Sequence, residues 1–266
     1  MRFEDYECIR FERQGRILRI VLNRPGALNA VDEQLHHELA TVFADAALDE
    51  ESTVIVLTGE GRAFCAGGDV SMMERMRGDA SLYTPQNVQG KRIVYSLLEL
   101  EKPVICRLNG DAVGLGATIA LLCDIILADE GARLSDPHVK VGLVAGDGGA
   151  LIWPQLLGYA RAKELLLTGD ALTATRACEL GLINHVHPTG ELDAAVDALA
   201  TRLANGATEA INWTKTIANL GLKQLMHSIM DAGMAYEALS MGERAHRDAV
   251  EAFLASRAAK RSPSSD

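Results

Sequence analysis

The segment SDPHVKVGLVAGDGG, residues 135–149, sets His138 and Asp147 among mostly small and apolar residues. His138 carries an imidazole, whose unperturbed pKa of about 6.5 lets it give or take a proton near neutral pH. Asp147 follows nine positions later, and the GLVAG between them reads as a turn. Such a turn brings both side chains to one cleft. Asp147 then accepts from one ring nitrogen, fixes the tautomer and raises the basicity of the other. The same residues have plainer uses. A histidine can simply fill a pocket, and Asp147 in GDGGALIWPQLL suits the N-cap of a following helix. Neither residue has a partner at a recognisable metal spacing, so no metal is expected.

Two Gly-rich turns offer a second kind of chemistry. CAGGD (65–69) follows a strand pattern and precedes a helix. Its small residues let the backbone approach a ligand closely, and outward-pointing N–H groups there can hold an oxyanion. The alternative is an ordinary tight turn. NGDAVGLGA (109–117) repeats the arrangement, and Leu115 between two glycines can aim its N–H at the same oxygen. Two such turns, each after a buried strand, form a stronger signal than one.

The elements that must carry these groups are legible. ECIRFERQGRILRIVLN predicts two strands about Gln14-Gly15, ending before Pro25. Asp32 is a candidate N-cap for a helix with Leu35, Leu39, Val42 and Phe43 at helical spacing. TVIVLTG and KPVICRLNG are buried strands, with EGRAFCAGGD a loop after the first. Residues 71–100 read as helical, broken near GDASLYTPQ. DIILADEGARLSDP predicts strand, turn, strand. GGALIWPQLLG, YARAKELLLTG and TATRACELGL follow as three short helices, INHVHP as a last strand, and 191–260 as helices. Alternating strands, Gly-rich turns and helices give an α/β class.

Composition limits the function. The chain has 266 residues, enough to bury a sizeable core, and a net charge of −10, which argues against nucleic acid or an anionic membrane as partner. The five cysteines are irregularly spaced, with no CxxC, and read as reduced thiols. The charged N-terminus lacks an apolar signal core, and the longest apolar stretch is broken by Asp124. A cytoplasmic protein without a membrane span is expected.

LNRPGALNAVD (22–32), VIVLTGEGRAFCAGGDV (54–70), KPVICRLNGDAVGLGATIALLCDIILADEGARL (102–134) and LTGDALTATRACELGLINHV (167–186) resemble, in the right order, the crotonase superfamily of enoyl-CoA hydratases, isomerases and relatives. The resemblance implies an α/β crotonase-like spiral of ββα units over 1–200, a C-terminal helical trimerisation region over 201–260 and a disordered tail at 261–266. It implies an acyl-CoA substrate, with coenzyme A as part of the substrate and no separate cofactor, and a homotrimer or dimer of trimers. Carried over, the oxyanion donors are the N–H groups of Gly68 and Leu115. Substrate and CoA contacts are implied for Gly26, Ala27, Leu28, Ala66, Gly67, Gly68, Asp69, Val70, Gly114, Thr118 and Lys260. Lys260 and Phe253 match a pattern that touches CoA from a neighbouring subunit.

The chain departs from the hydratase pattern at both glutamates. Thr118 and His138 stand in their places, and Thr118 cannot act as a base. PH followed by GDG and WP resembles the β-diketone hydrolase branch, in which a His–Asp pair activates water and Glu237 matches an additional acid. The first reading is therefore an enoyl-CoA hydratase/isomerase-like enzyme that stabilises a thioester enolate, with His138 and Asp147 replacing the glutamates. The alternatives are a hydrolase of the C–C bond of a 1,3-dicarbonyl or β-keto acyl-CoA and a non-catalytic acyl-CoA-binding protein. His36, His37, His185 and His187 are expected to be surface or structural.

Overall fold

Ile9–Gln14 (β1) and Ile17–Leu22 (β2) pair antiparallel, as the hairpin pattern predicts. The structure, a computed structural model, describes residues 2–69, 71–72, 75 and 83–261, with the side chains of 83–85 and 256–261 outside that description. Helix α1 (Glu33–Leu48) starts at Asp32, whose carboxylate accepts from the Leu35 N–H at 2.9 Å. Leu35, Leu39, Val42 and Phe43 are fully buried, each contributing on the order of 2 kcal/mol. The break expected near GDASLYTPQ lies largely outside the described residues.

From there successive strands alternate between two sheets. β3 (Val54–Gly59) enters the first sheet and β4 (Ala63–Cys65) the second. Helix α2 (Tyr83–Glu99) follows. β5 (Val104–Leu108) returns to the first sheet, β6 (Asp111–Val113) goes to the second, and α3 (Leu115–Leu121) closes the turn. β7 (Ile125–Asp129) and β8 (Arg133–Ser135) repeat the step. Helices α4 (Gly149–Leu157) and α5 (Tyr159–Thr168), β9 (Leu172–Thr173), α6 (Ala174–Glu179) and β10 (His185–His187) complete the spiral. The first sheet has the order β1-β2-β3-β5-β7-β10, parallel from β2 onward; the second has β4-β6-β8-β9.

Parallel strands covered on both faces should be apolar throughout, and β3 is buried at every position. Its alternation sorts the residues: Ile55 and Leu57 join the main core, while Val54 and Val56 face the other way. There they meet Leu192, Val196, Ala200 and Ala204 of α7 (Leu192–Ala204). α8 (Thr208–Ala218), α9 (Leu220–Met241) and α10 (Arg244–Arg261) follow. α9 places Met226, Met230 and Met234 in the main core. The stretch read as a loop after β3 contains β4, and β6 and β9 were not resolved as strands by pattern. Three or fewer residues are too short to show a period of two. No helix among the described residues is long and apolar enough to cross a membrane.

Candidate active site

The two Gly-rich turns come together because β4 and β6 are parallel neighbours. Gly68 bridges to Val31, through Val31 N–H to Gly67 and Asp69 N–H to Val31, which leaves its own N–H unused. Leu115 is the first residue of α3, where an N–H has no partner inside the helix. Neither N–H donates to a protein group among the described residues. Both residues line the same cleft as His138. Gly114 has φ of 53°, and a Cβ there would stand 3.3 Å from His138 Cε1, so glycine lets the imidazole lie against the turn.

His138 starts a short 3-10 helix after β8. Its Nδ1–H donates to Asp136 Oδ1 at 2.5 Å, and its Nε2 stands 3.4 Å from Asp147 Oδ2. Asp136 and Asp147 are both buried. Burial opposes a charged ring, but the Asp147 and Asp136 carboxylates outweigh it and hold the His138 pKa well above its ordinary value. Burial likewise pushes the Asp147 carboxyl up, yet the His138 charge and hydrogen bond hold it below the usual range. The imidazole is therefore charged at neutral pH, not half-titrated as its unperturbed value would suggest. The expected division of labour also changes. Asp136, not Asp147, fixes the Nδ1 tautomer, and Asp147 faces the reactive nitrogen.

Local chain geometry explains the arrangement. Asp147 is not the cap of α4; Gly148 occupies that position at φ 113°. Asp136 reaches the start of α4, where a Cβ on Gly149 would fall 2.0 Å from its Oδ2. The helix N-terminus favours that carboxylate. Asp136, His138 and Asp147 bring possible ligand atoms within 4.8 Å of one another. The two carboxylates address opposite ring nitrogens, however, and one ion can bind only one of those. Nε2 and Asp147 alone fall short of the usual ligand count, so the group reads as a proton-relay chain.

Two clefts meet at Gly68 and His138. One runs past Ala66, Gly67, Gly114, Val250 and Phe253. The other holds Asp69, Leu115, Asp147 and, from α9, Met234 and Glu237. Burial first, and the Asp147 charge second, push the Glu237 carboxyl up to about 8. It is neutral at pH 7, and its Oε2 has no hydrogen-bond partner. His36 lines the same cleft, although its expected role was surface or structural. Asp136 and His36 are thus the site residues that sequence reasoning missed. Asp136 stands two residues before His138, a spacing at which a carboxylate can reach the ring. His36 falls on the buried arc of α1 beside Leu35 and Leu39.

Of the other expected residues, Thr118, Gly26, Ala27 and Leu28 stand apart from the clefts. Thr118 is fully buried behind them, its Oγ1 unpartnered and its methyl against Gly148. Gly26 and Ala27 form a short 3-10 helix, and Leu28 carries φ of 55° and accepts from the Ala66 N–H at 3.0 Å. None of the three lines either cleft. Asp69 pairs with Arg24 at 3.3 Å. Val70 lies outside the described residues. Lys260 falls in α10, but its side chain also lies outside them. Phe253 lines a cleft of its own chain.

A family profile for enoyl-CoA hydratase/isomerase matches residues 12–260. The chain is 33% identical over 251 residues to a short-chain-enoyl-CoA hydratase of Clostridium acetobutylicum, covering 92% of this chain and 94% of that protein. It is 34% identical over 251 residues to the 1,2-epoxyphenylacetyl-CoA isomerase of Escherichia coli, covering 93% and 94%. Among solved structures, an enoyl-CoA hydratase/isomerase from Mycobacterium paratuberculosis is similar with a TM-score of 0.89 and 37% identity, covering 92% and 98%. A β-diketone hydrolase from the cyanobacterium Anabaena, bound to (S)-3-oxocyclohexyl acetic acid, is similar with a TM-score of 0.84 and 31% identity, covering 90% and 96%. The alternating strands, the paired Gly-rich turns and these likenesses over nearly the whole length agree: the chain belongs to the enoyl-CoA hydratase/isomerase family.

Proposed function

We propose that this chain adds water to an α,β-unsaturated acyl-CoA through a thioester enolate, with Asp147 as base and His138 as acid. The N–H groups of Gly68 and Leu115 hold the thioester oxygen as negative charge develops on it. Asp147 takes one proton from a water whose oxygen bonds to the β-carbon. The enolate formed takes the Nε2 proton of His138 at its α-carbon, and Asp147 then returns its proton to His138. The elements of water are added and both side chains are restored. The transfers reinforce each other: as His138 loses its charge, the influence that depresses Asp147 disappears and Asp147 becomes a stronger base.

The observation that carries this reading is the imidazole flanked by two carboxylates at position 138, where the hydratase pattern has a glutamate. Asp147 supplies the second carboxylate from beside Thr118, since Gly148 packs on the Thr118 methyl. Coenzyme A enters as part of the substrate, and the chemistry calls for no separate cofactor. A second reading has the same pair drive water onto a carbonyl of a 1,3-dicarbonyl substrate, with C–C cleavage giving the enolate. The likeness to the β-diketone hydrolase and the polar wall formed by His36, Asp147 and Glu237 favour it.

The test offers trans-2-enoyl-CoA esters of several chain lengths, followed by loss of the conjugated absorbance, beside β-ketoacyl-CoA esters and cyclic 1,3-diketones followed by mass spectrometry. Hydration of at least one enoyl ester is expected, with kcat reduced about 10²–10⁴-fold in Asp147→Asn and in His138→Gln. Cleavage of dicarbonyls with no hydration would transfer the function to the second reading. Near-parent rates in both variants would remove the pair from the mechanism.

A further inference from the structure

His36 is a buried histidine on the wall of the reactive cleft that the proton transfers do not use. It is 7% exposed. Its hydrogen bonding fixes its tautomer. Gln89 donates through Nε2 to His37 Nδ1 at 3.3 Å, so its Oε1 is turned to His36 and accepts from His36 Nδ1–H at 2.9 Å. The His36 proton is therefore on Nδ1, and Nε2 presents a lone pair. Nε2 has no hydrogen-bond partner among the described residues. Burial holds the ring below its ordinary pKa, which keeps that lone pair available at neutral pH.

The groups around it narrow what it can receive. Asp147, close enough for its charge to act on His36, is held by His138. Glu237 is neutral and brings an O–H donor beside its carbonyl oxygen to the same cleft. The rest of the wall is largely methionine and leucine, with Gln86 and Asn87 from α2 and Asp69 as its other polar residues. A plain hydrocarbon acyl chain here would strip water from Nε2 and give nothing in return, a penalty worth roughly tenfold in affinity. A group with an O–H at that depth would replace the lost hydrogen bond.

We infer that His36 is a specificity-determining residue whose Nε2 accepts a hydrogen bond from a hydroxyl on the acyl part of the substrate, so that the preferred ligands are hydroxylated acyl-CoA esters. The inference rests on the reading that this cleft receives the acyl group, but not on which bond is made or broken there. The hydroxyl is one beyond the reacting carbons, distinct from the one that hydration introduces.

Isothermal titration calorimetry tests it with hexanoyl-CoA against 4-, 5- and 6-hydroxyhexanoyl-CoA, on the parent and on His36→Phe and His36→Gln. At least one hydroxylated ester should bind the parent about tenfold or more tightly than hexanoyl-CoA. That ratio should fall to about one in His36→Phe, while hexanoyl-CoA binds the variant as well as or better than the parent. Equal binding of all four esters to the parent would overturn the inference, as would a preference that survives in both variants. The parent's ratio decides even if a variant fails to fold. Binding needs no turnover, so failure of the hydration mechanism leaves this result readable. Absence of any acyl-CoA binding would overturn the cleft assignment and this inference together.

Discussion

His138, Asp136 and Asp147 form one cluster in which each carboxylate meets a different ring nitrogen. Glu237 is the fourth member, and it yields a stability prediction. Its folded pKa of about 8 lies above the ordinary 4.5, so the fold prefers the neutral acid. That preference stabilises fully below the unfolded value, is lost as pH rises from there toward about 8, and then levels off. Glu237→Gln removes the pH dependence. Its thermal midpoint should match the parent near pH 5 and exceed it by several degrees at pH 8.5, with up to about 5 kcal/mol at stake. A difference that stays constant with pH would show that Glu237 is not held neutral. At this scale the sequence exposed His138 and Asp147 because they interrupt an apolar segment. It did not expose Asp136, since Ser-Asp-Pro reads as a turn and only the fold reveals that the carboxylate bends back to Nδ1. His36 was hidden because its outcome depends on Gln89, 53 residues away.

Among the elements, long strands and helices were legible because burial imposes a period. Val54–Gly59 has no polar interruption that would place it at a surface, and the α1 stripe led directly to its cap at Asp32. In the second sheet β8 was legible, as the strand after the turn in DIILADEGARLSDP, but β4, β6 and β9, two or three residues long, were not, yet β4 and β6 aim both Gly-rich turns. Their pairing is a long-range property that no local window contains. The C-terminal helices were legible as helices but not in their contribution. α9 brings Met234 and Glu237 into the cleft, and α10 brings Val250 and Phe253. These helices also carry exposed apolar residues: Trp213 and Ile217 on α8, and Leu220, Tyr236 and Leu239 on α9, each more than half exposed. Apolar exposure of this kind marks a contact surface. We propose it as the interface of a homotrimer. Sedimentation equilibrium should give three times the chain mass or a multiple of it, and Trp213→Asp with Leu239→Asp should lower it. A monomeric parent would contradict the assignment.

At the scale of the molecule, the spiral gathers groups from positions 36, 68, 115, 138, 147 and 237 around one cleft. The net charge of −10 does not oppose a CoA ester as such, because local N–H groups and helix starts can hold phosphate on an acidic protein. In the mechanism proposed above, the assembled site places an acid against the α-carbon of an enolate. The direct measurement is exchange of α-protons of the tightest-binding saturated acyl-CoA in D₂O, followed by proton NMR as a function of pH. The neutral His138 ring must take the α-proton in this direction, so exchange should rise with pH through the raised His138 pKa. Hydration, which needs the charged ring, should fall over the same range. His138→Gln should abolish the exchange. No exchange in the parent, or exchange undiminished in His138→Gln, would contradict the assignment of His138 as the group that moves the α-proton.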